Sequence, residues 1–258
     1  MSAESVSTPK NILIGGIYGG IGSALALQLR NLGWRVCGFG RDPEKLEALR
    51  QNIDGLTLFQ ADATDSEEVA RAFSEANEEM GGLQGYVHCV GSVFLKPLHR
   101  TSPAEWREVL GKNLDSAFFA LRAGIPLLQK QGGGSFVFCS SVAAQTGLAN
   151  HEAIAAAKGG LEALVRSAAS TYASRYIRVN AVALGLVETG ATQPLLANQR
   201  ARALSEEMHP LGRVGRAEEV ASLLSWLASE DASWVTGQIF GMDGGMGVIV
   251  PKPKTSSG

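Results

Sequence analysis

Short apolar runs alternate along the chain with longer amphipathic stretches. The runs at 12–15, 35–39, 56–60, 85–90, 135–140, 177–183 and 238–242 are rich in Val, Ile or Phe and apolar at consecutive positions. A strand that is apolar on both faces must be covered on both, so these runs predict a parallel sheet sandwiched between helices. Between them, 21–32 carries Ile21, Leu25, Leu29 and Leu32 at helical spacing. Two longer stretches, 103–131 and 152–174, predict long helices. The first carries Trp106, Leu110, Leu114, Ala117, Leu121 and Leu128 along one stripe. Strand–helix alternation requires right-handed crossovers, which implies an α/β fold: a doubly wound parallel sheet of about seven strands with helices on both faces.

No internal repeat or linker separates two cores, and the Gly-Gly-Gly-Ser at 132–135 reads as a helix-to-strand turn. The expectation is one domain over about 10–249, with Pro-, Ser- and Lys-rich flexible tails at 1–9 and 250–258. Charge narrows the choice of partners. With 23 basic against 25 acidic side chains, the net charge is −2, which argues against nucleic acid and against a polybasic membrane anchor. No apolar run approaches the ~18 residues a membrane helix needs, and the first ten residues lack a signal-peptide stretch. Cys37, Cys89 and Cys139 each lie in an apolar run and read as small buried hydrophobes. Reduced thiols suit the cytoplasm.

Glycine is in excess, 31 of 258 residues, and it is concentrated at turns. After the first predicted strand comes Gly15-Gly16-Ile17-Tyr18-Gly19-Gly20-Ile21-Gly22, leading straight into a helix. Glycines at 16, 20 and 22 let the backbone turn tightly and approach a diphosphate, while the helix start offers N–H groups to it. The pattern predicts a Rossmann-type dinucleotide loop, with Tyr18 expected to pack over the phosphates and Ile21 at the start of the helix. The second strand ends at Gly40-Arg41-Asp42. An NAD site places an acid near here on the ribose 2′-hydroxyl, whereas a guanidinium suits a 2′-phosphate. Arg41 therefore favours NADP, with NAD possible if Asp42 is the acid and not a helix cap before Pro43. Asp62, within Ala61-Asp62-Ala63, either accepts from the adenine amino group or starts the next helix.

On these motifs the chain resembles the short-chain dehydrogenases/reductases across residues 10–247. The loop is similar to the family's T-G-x-x-x-G-x-G with Gly15 in place of Thr; Gly91 is what remains of N-N-A-G. Asn113, Ser141 and Lys158 match the family's catalytic Asn, Ser and Lys. Leu184-Gly185-Leu186-Val187-Glu188-Thr189 is similar to P-G-x-x-x-T, and Met242-Asp243-Gly244-Gly245 to a late D-G-G. The resemblance implies hydride transfer between NAD(P) and a substrate carbon. In it, Ser binds the carbonyl oxygen, Asn anchors a water relay, and Lys holds the nicotinamide ribose. It also implies cofactor contacts at Gly16, Tyr18, Gly20, Ile21, Gly22, Arg41, Asp62, Ala63, Gly91, Lys158 and Thr189. A homo-oligomer, dimer or tetramer, built on the helices bearing Phe118, Phe119 and Ala153 follows from the same resemblance.

One position departs. Four residues before Lys158 the family has its proton-transferring Tyr, and this chain has Ile154. General acid–base help is worth roughly 10²–10⁴-fold, so another donor is expected. His151, seven residues before Lys158, lies on about the same helical face. Enoyl-thioester reductases of the family are similar in having Tyr there. A histidine can give a proton near neutral pH; alternatively it caps the helix and faces solvent. His88, at the mouth of the fourth strand, is expected to replace a hydrogen-bonding Asn near the ribose. His151-Glu152-Ala153-Ile154-Ala155 lacks the second histidine of a zinc H-E-x-x-H motif, so no metal is expected. Residues 190–216 are expected to form a substrate lid. The leading expectation is an oxidoreductase acting on a small carbonyl or α,β-unsaturated carbonyl with a donor other than Tyr. A catalytically impaired, cofactor-binding structural or regulatory subunit is the alternative, and a lyase or isomerase is a third.

Overall fold

A computed structural model of the chain describes residues 10–250. Of the tails expected at 1–9 and 250–258, residues 1–9 and 251–258 lie outside the described residues. Strand β1 (Asn11–Gly15) leads through the glycine loop into α1 (Gly20–Asn31), and then to β2 (Arg35–Gly40), α2 (Pro43–Asn52), β3 (Leu56–Gln60) and α3 (Ser66–Met80). Next come β4 (Gly85–His88), α4 (Pro103–Leu110), a π turn (Gly111–Asp115), α5 (Ser116–Lys130), β5 (Gly134–Ser141) and α6 (Glu152–Tyr172). The chain continues through β6 (Ile177–Leu184), β7 (Val187–Glu188), α7 (Gln193–Leu196), α8 (Gln199–Met208), β8 (Gly215–Arg216), α9 (Ala217–Ala228) and β9 (Ile239–Met242).

The main sheet is seven-stranded and parallel, ordered β3-β2-β1-β4-β5-β6-β9. It is the Rossmann-like arrangement that the apolar runs predict. Consecutive apolar positions are needed because neighbours in a strand face opposite layers. Ile12 and Ile14 pack with Leu25, Val36 and Leu224 under α1 and α9, while Leu13 packs with Phe73, Tyr86, Phe136 and Val165 under α3, α5 and α6. Each such buried aliphatic or aromatic side chain contributes about 1.5–3 kcal/mol. The chain winds outward from β1 to β3 and then returns to place β4 on the other side of β1. That reversal opens a crevice at the carboxyl ends of the strands, where ligands bind in such sheets.

Three local features differ from the sequence-based expectation. The fourth strand stops at His88, not at residue 90. The two-residue strands β7 and β8 pair as a separate ribbon too short to leave a periodic signal. The helix expected over 103–131 is interrupted by the π turn that carries Asn113. This interruption splits the predicted stripe: Ala117, Leu121 and Leu128 join the main core, whereas Trp106 and Leu110 pack on a small cluster of Val109, Ala143, Ala153, Ile154 and Ala157.

Candidate active site

The glycine loop is shaped by close approaches that exclude side chains. Gly16 sits at φ +73°, in the left-handed region that favours glycine. A Cβ on Gly22 would strike the Gly16 carbonyl oxygen and come within 2.9 Å of Ile17 Cα. One on Gly20 would lie 2.9 Å from Thr189 Cβ, so Thr189 packs on the start of α1. The N-cap of α1 is Gly19, and no side chain caps it and no acid lies in its first turn. The first-turn N–H groups and the positive end of the helix dipole are thus offered to an anion. This cradle fits a dinucleotide diphosphate.

Along the loop, the Tyr18 ring rests on Gly40 at the end of β2. A Cβ there would meet ring carbon Cδ1 at 2.8 Å. The Lys45 ammonium lies 5.6 Å from the ring centre. Tyr18 therefore sits toward α2, on the side where β2 ends. Arg41 follows, exposed to solvent. Asp42 is the N-cap of α2, accepting from the Glu44 and Lys45 N–H groups at 3.1 and 3.2 Å, and the Lys45 backbone bond leads in holding its carboxyl below the usual range. Asp62 does not start α3; Asp65 does, accepting from the Glu67 and Glu68 N–H groups. Partial burial pushes the Asp62 carboxyl up, but bonds from the Thr64 N–H and hydroxyl, with Arg41 and Lys112 nearby, outweigh it and hold it low. Ala63 is buried beside it.

Beyond the loop, a cavity of about 490 Å³ is lined by Gly19, Gly20, Ile21, Gly91, Asn113, Ser141, His151, Ile154, Lys158 and Thr189 among others. Four residues expected in catalysis are therefore brought to one cleft. Asn113 is fully buried on the π turn, a feature frequent at functional sites. Its amide donates to Val109 O and Ser92 Oγ, each at 2.9 Å, and its oxygen accepts from the Ser92 N–H at 3.1 Å. It thereby pins the loop after β4 to α4. A Cβ on Gly91 would lie 3.0 Å from Asn113 Oδ1 and 3.5 Å from Lys158 Nζ, so only a bare backbone passes between them.

Ser141 ends β5, and its Oγ accepts from the Ala143 N–H at 3.2 Å. Lys158 comes from α6, is 6% exposed, and donates to the Cys139 carbonyl at 2.8 Å. Burial pulls its ammonium down to about 8, against weak opposition from the neighbouring thiols. Ile154 is buried one turn earlier in the small apolar cluster. His151 is the N-cap residue of α6 but caps nothing with its side chain. Its half-buried ring lines the cleft, with Nδ1 2.8 Å from Ala149 O. That nitrogen donates to the carbonyl, which leaves Nε2 as the nitrogen open to a ligand.

Other residues were placed differently from expectation or missed. His88, expected beside the ribose, does not line the cleft. It is fully buried among Tyr86 and Phe138, with Nδ1 2.7 Å from Tyr86 Oη and Nε2 3.1 Å from Ser116 Oγ. Burial, helped by the Lys158 charge, pushes it down to about 3, so it stays neutral. The expected lid segment supplies Ala191, Leu195, Ala201, Leu204 and Met208 to the cleft, and α8 buries none of its residues. His209, which sequence reading passed over, anchors this segment. Its Nδ1–H donates to Ser205 O at 2.6 Å and its Nε2 accepts from the Leu186 N–H at 3.1 Å. Cys89 and Cys139, expected as inert core, both line the cleft. The missed signal is their place near the carboxyl ends of two strands: Cys89 directly follows β4 and Cys139 lies two residues before the end of β5. No helix among the described residues is long and apolar enough to cross a membrane.

Comparison with known proteins agrees with this geometry. A family profile described as enoyl-(acyl carrier protein) reductase matches residues 16–247. The chain is 34% identical over 241 residues to a 3-oxoacyl-(acyl-carrier-protein) reductase of Thermotoga maritima, covering 92% of this chain and 97% of the relative. A short-chain type dehydrogenase/reductase from Mycobacterium ulcerans superposes with a TM-score of 0.89 at 30% identity, covering 93% of this chain and 90% of that one. A structure of ElxO with NADP bound superposes with a TM-score of 0.88 at 26% identity, covering 93% of this chain and 99% of that one. With its glycine cradle and its Asn, Ser and Lys gathered at the carboxyl ends of a parallel sheet, the chain belongs to the short-chain dehydrogenase/reductase family of oxidoreductases.

Proposed function

We propose that the protein is an NADP(H)-dependent oxidoreductase acting on a small, uncharged carbonyl or α,β-unsaturated carbonyl compound, with a proton donor other than tyrosine. The observation that carries this reading is the shared cleft: Ser141, Lys158 and His151 face one cavity whose wall is largely apolar, with Val93, Phe94, Leu148 and Ile154 among its lining. Among the described residues that line it, Lys158 is the only Lys or Arg, which gives little to hold an anionic carrier.

A bound nicotinamide supplies or takes the hydride. The rest falls to the chain. Gly16, Gly20, Ile21 and Gly22 hold the diphosphate at the start of α1, and Thr189 closes over them. Arg41 pairs with a 2′-phosphate; with Asp42 occupied as a helix cap, the acid that would favour NAD is not offered. NADP bound to a structural relative is in keeping with this choice. Asp62 and Ala63 border the adenine. Lys158 and Gly91 hold the ribose, and Asn113 fixes the loop that carries Gly91. Ser141 Oγ donates to the substrate oxygen, where negative charge develops on hydride arrival. His151, anchored through Nδ1, delivers a proton from Nε2. Residues 190–216 close over the substrate and exclude water. The unit comprises residues 10–249 and works in the cytoplasm as a dimer or tetramer, with Phe118, 49% exposed on α5, in the contact.

A second reading is a cofactor-binding, catalytically impaired subunit. It is favoured by Ile154 being a packed core residue where the family's Tyr would stand. One experiment separates the two: titrate NADPH and NADH calorimetrically, then follow absorbance at 340 nm over ketone and enoyl-thioester panels. Turnover with NADPH supports the enzyme. Tight binding with no turnover on any panel supports the subunit, and no binding overturns both.

A further inference from the structure

Cys89 and Cys139 stand next to each other across two strands, and no step of the proposed chemistry uses their thiols. The β4–β5 ladder ends with His88 beside Phe138, and the next residues along the two chains are Cys89 and Cys139. Cys89 keeps its strand position, since its N–H donates to Gly15 O at 2.9 Å. Neighbouring strands lie about 4.8 Å apart, inside the Cα separation of about 4.4–6.8 Å that a disulfide spans. Register partners point to the same face, and both sulfurs pack against the cluster beneath α1 and α9. The two thiols lie close enough to shift each other's ionisation, Cys89 upward and Cys139 downward. Both line the cleft, which gives a small oxidant a route to them.

We propose that Cys89 and Cys139 are an oxidisable dithiol in the floor of the cleft, and that hydrogen peroxide converts them into a disulfide joining β4 to β5. Cys139 reacts first. The neighbouring Cys89 thiol favours its thiolate, burial opposes this, and the Lys158 charge, whose Nζ lies 2.8 Å from the Cys139 carbonyl, adds to the thiolate's stability, so the thiol is held below its usual range. Its sulfur attacks a peroxide oxygen, the O–O bond breaks, and the departing hydroxide takes a proton to become water. The resulting sulfenic acid is attacked by the Cys89 sulfur, which gives up its proton. The S–O bond breaks, a second water leaves, and the S–S bond forms. Two thiols are oxidised and one peroxide is reduced to two waters. Cys37 is the internal control: it is buried in β2, and burial pushes its thiol up to about 12.

The test uses the full-length, fully reduced protein exposed to hydrogen peroxide. Thiols are then counted under denaturing conditions, and peptides are mapped by mass spectrometry. The expected result is loss of two of the three thiols, a linked Cys89–Cys139 peptide lighter by two hydrogens, and recovery of both thiols with dithiothreitol. In Cys89→Ser the linked peptide disappears and a dimedone adduct appears on Cys139. Survival of all three thiols, sulfinic acid without a linked peptide, or a bridge through Cys37 or between two molecules overturns the proposal.

Discussion

The two ends of the cleft are built by different means. At the nucleotide end, glycine backbone does the work: Gly16 is fixed by its left-handed φ, and Gly20 and Gly22 by contacts that leave no room for a Cβ. At the substrate end, side chains do the work: Asn113, Ser141, His151 and Lys158 line the cavity, with Ile154 packed a turn before Lys158. A binding cradle made of closely packed main chain tolerates almost no change. A proton donor is a single group and can be relocated to a neighbouring position on the same helix. The two ends can therefore diverge at different rates within one fold.

Substitutions sharpen or break this contrast. Gly22→Val is expected to lower NADPH affinity by about a hundredfold or more, because the added atoms collide with main chain and cost about 1–3 kcal/mol of packing alone. Calorimetry reads it, and undiminished binding would remove the steric account of the loop. His151→Ala is expected to lower turnover by roughly 10²–10⁴-fold, while its unfolding midpoint stays that of the parent; unchanged turnover takes His151 out of the mechanism.

Lys158 gives a pH test. At pH 7 the group is protonated both folded and unfolded, and its burial opposes folding. Between about 8 and its ordinary 10.5 the unfolded chain holds a proton that the folded chain has released. Stability should therefore rise with pH across that window by about 2–3 kcal/mol relative to Lys158→Met. Urea denaturation of both proteins at pH 7 and 10 measures the difference, and parallel pH dependences would contradict it. Ile154→Tyr is expected to raise ketone reduction by about tenfold; the general-acid gain is offset by overpacking of about 1–3 kcal/mol in a closed cluster. Steady-state rates with NADPH decide, and a fall in rate would mean that the substrate end has been rebuilt beyond one residue. The smallest effect is expected from Arg41→Ala, a loss of severalfold to about tenfold in preference for NADPH over NADH, about the 0.5–1.5 kcal/mol of one ordinary hydrogen bond.

The strands were legible because each must be apolar on both faces, as Ile12, Leu13 and Ile14 are. The glycine loop was legible because close approach leaves only one residue type. Asn113, Ser141 and Lys158 were legible through spacing, and they do converge on one cavity. What pairwise contact decides was not legible. Nothing local distinguishes His88, sealed inside an aromatic cluster, from a histidine at a strand mouth; one more turn of burial makes the difference. Neither His209 nor the Cys89–Cys139 neighbourhood carries a signal until strand register and lid position are known. The tyrosine ring of Tyr18 went toward β2 because Gly40, far off in sequence, left a vacancy for it.

The π turn at Gly111–Asp115 has a consequence for how this chain tolerates insertions and deletions. A wider turn holds one residue more than a regular helix would, and each residue advances the helical phase by about 100°. Deleting a single residue between 111 and 115 would let the two helical segments fuse into one uninterrupted rod, with better regular hydrogen bonding than before. It would also rotate Trp106 and Val109 off their cluster and swing residue 113 away from Ser92. Repairing the local irregularity would thus dismantle the clasp on the loop that carries Gly91, a case in which the more regular helix is the poorer protein.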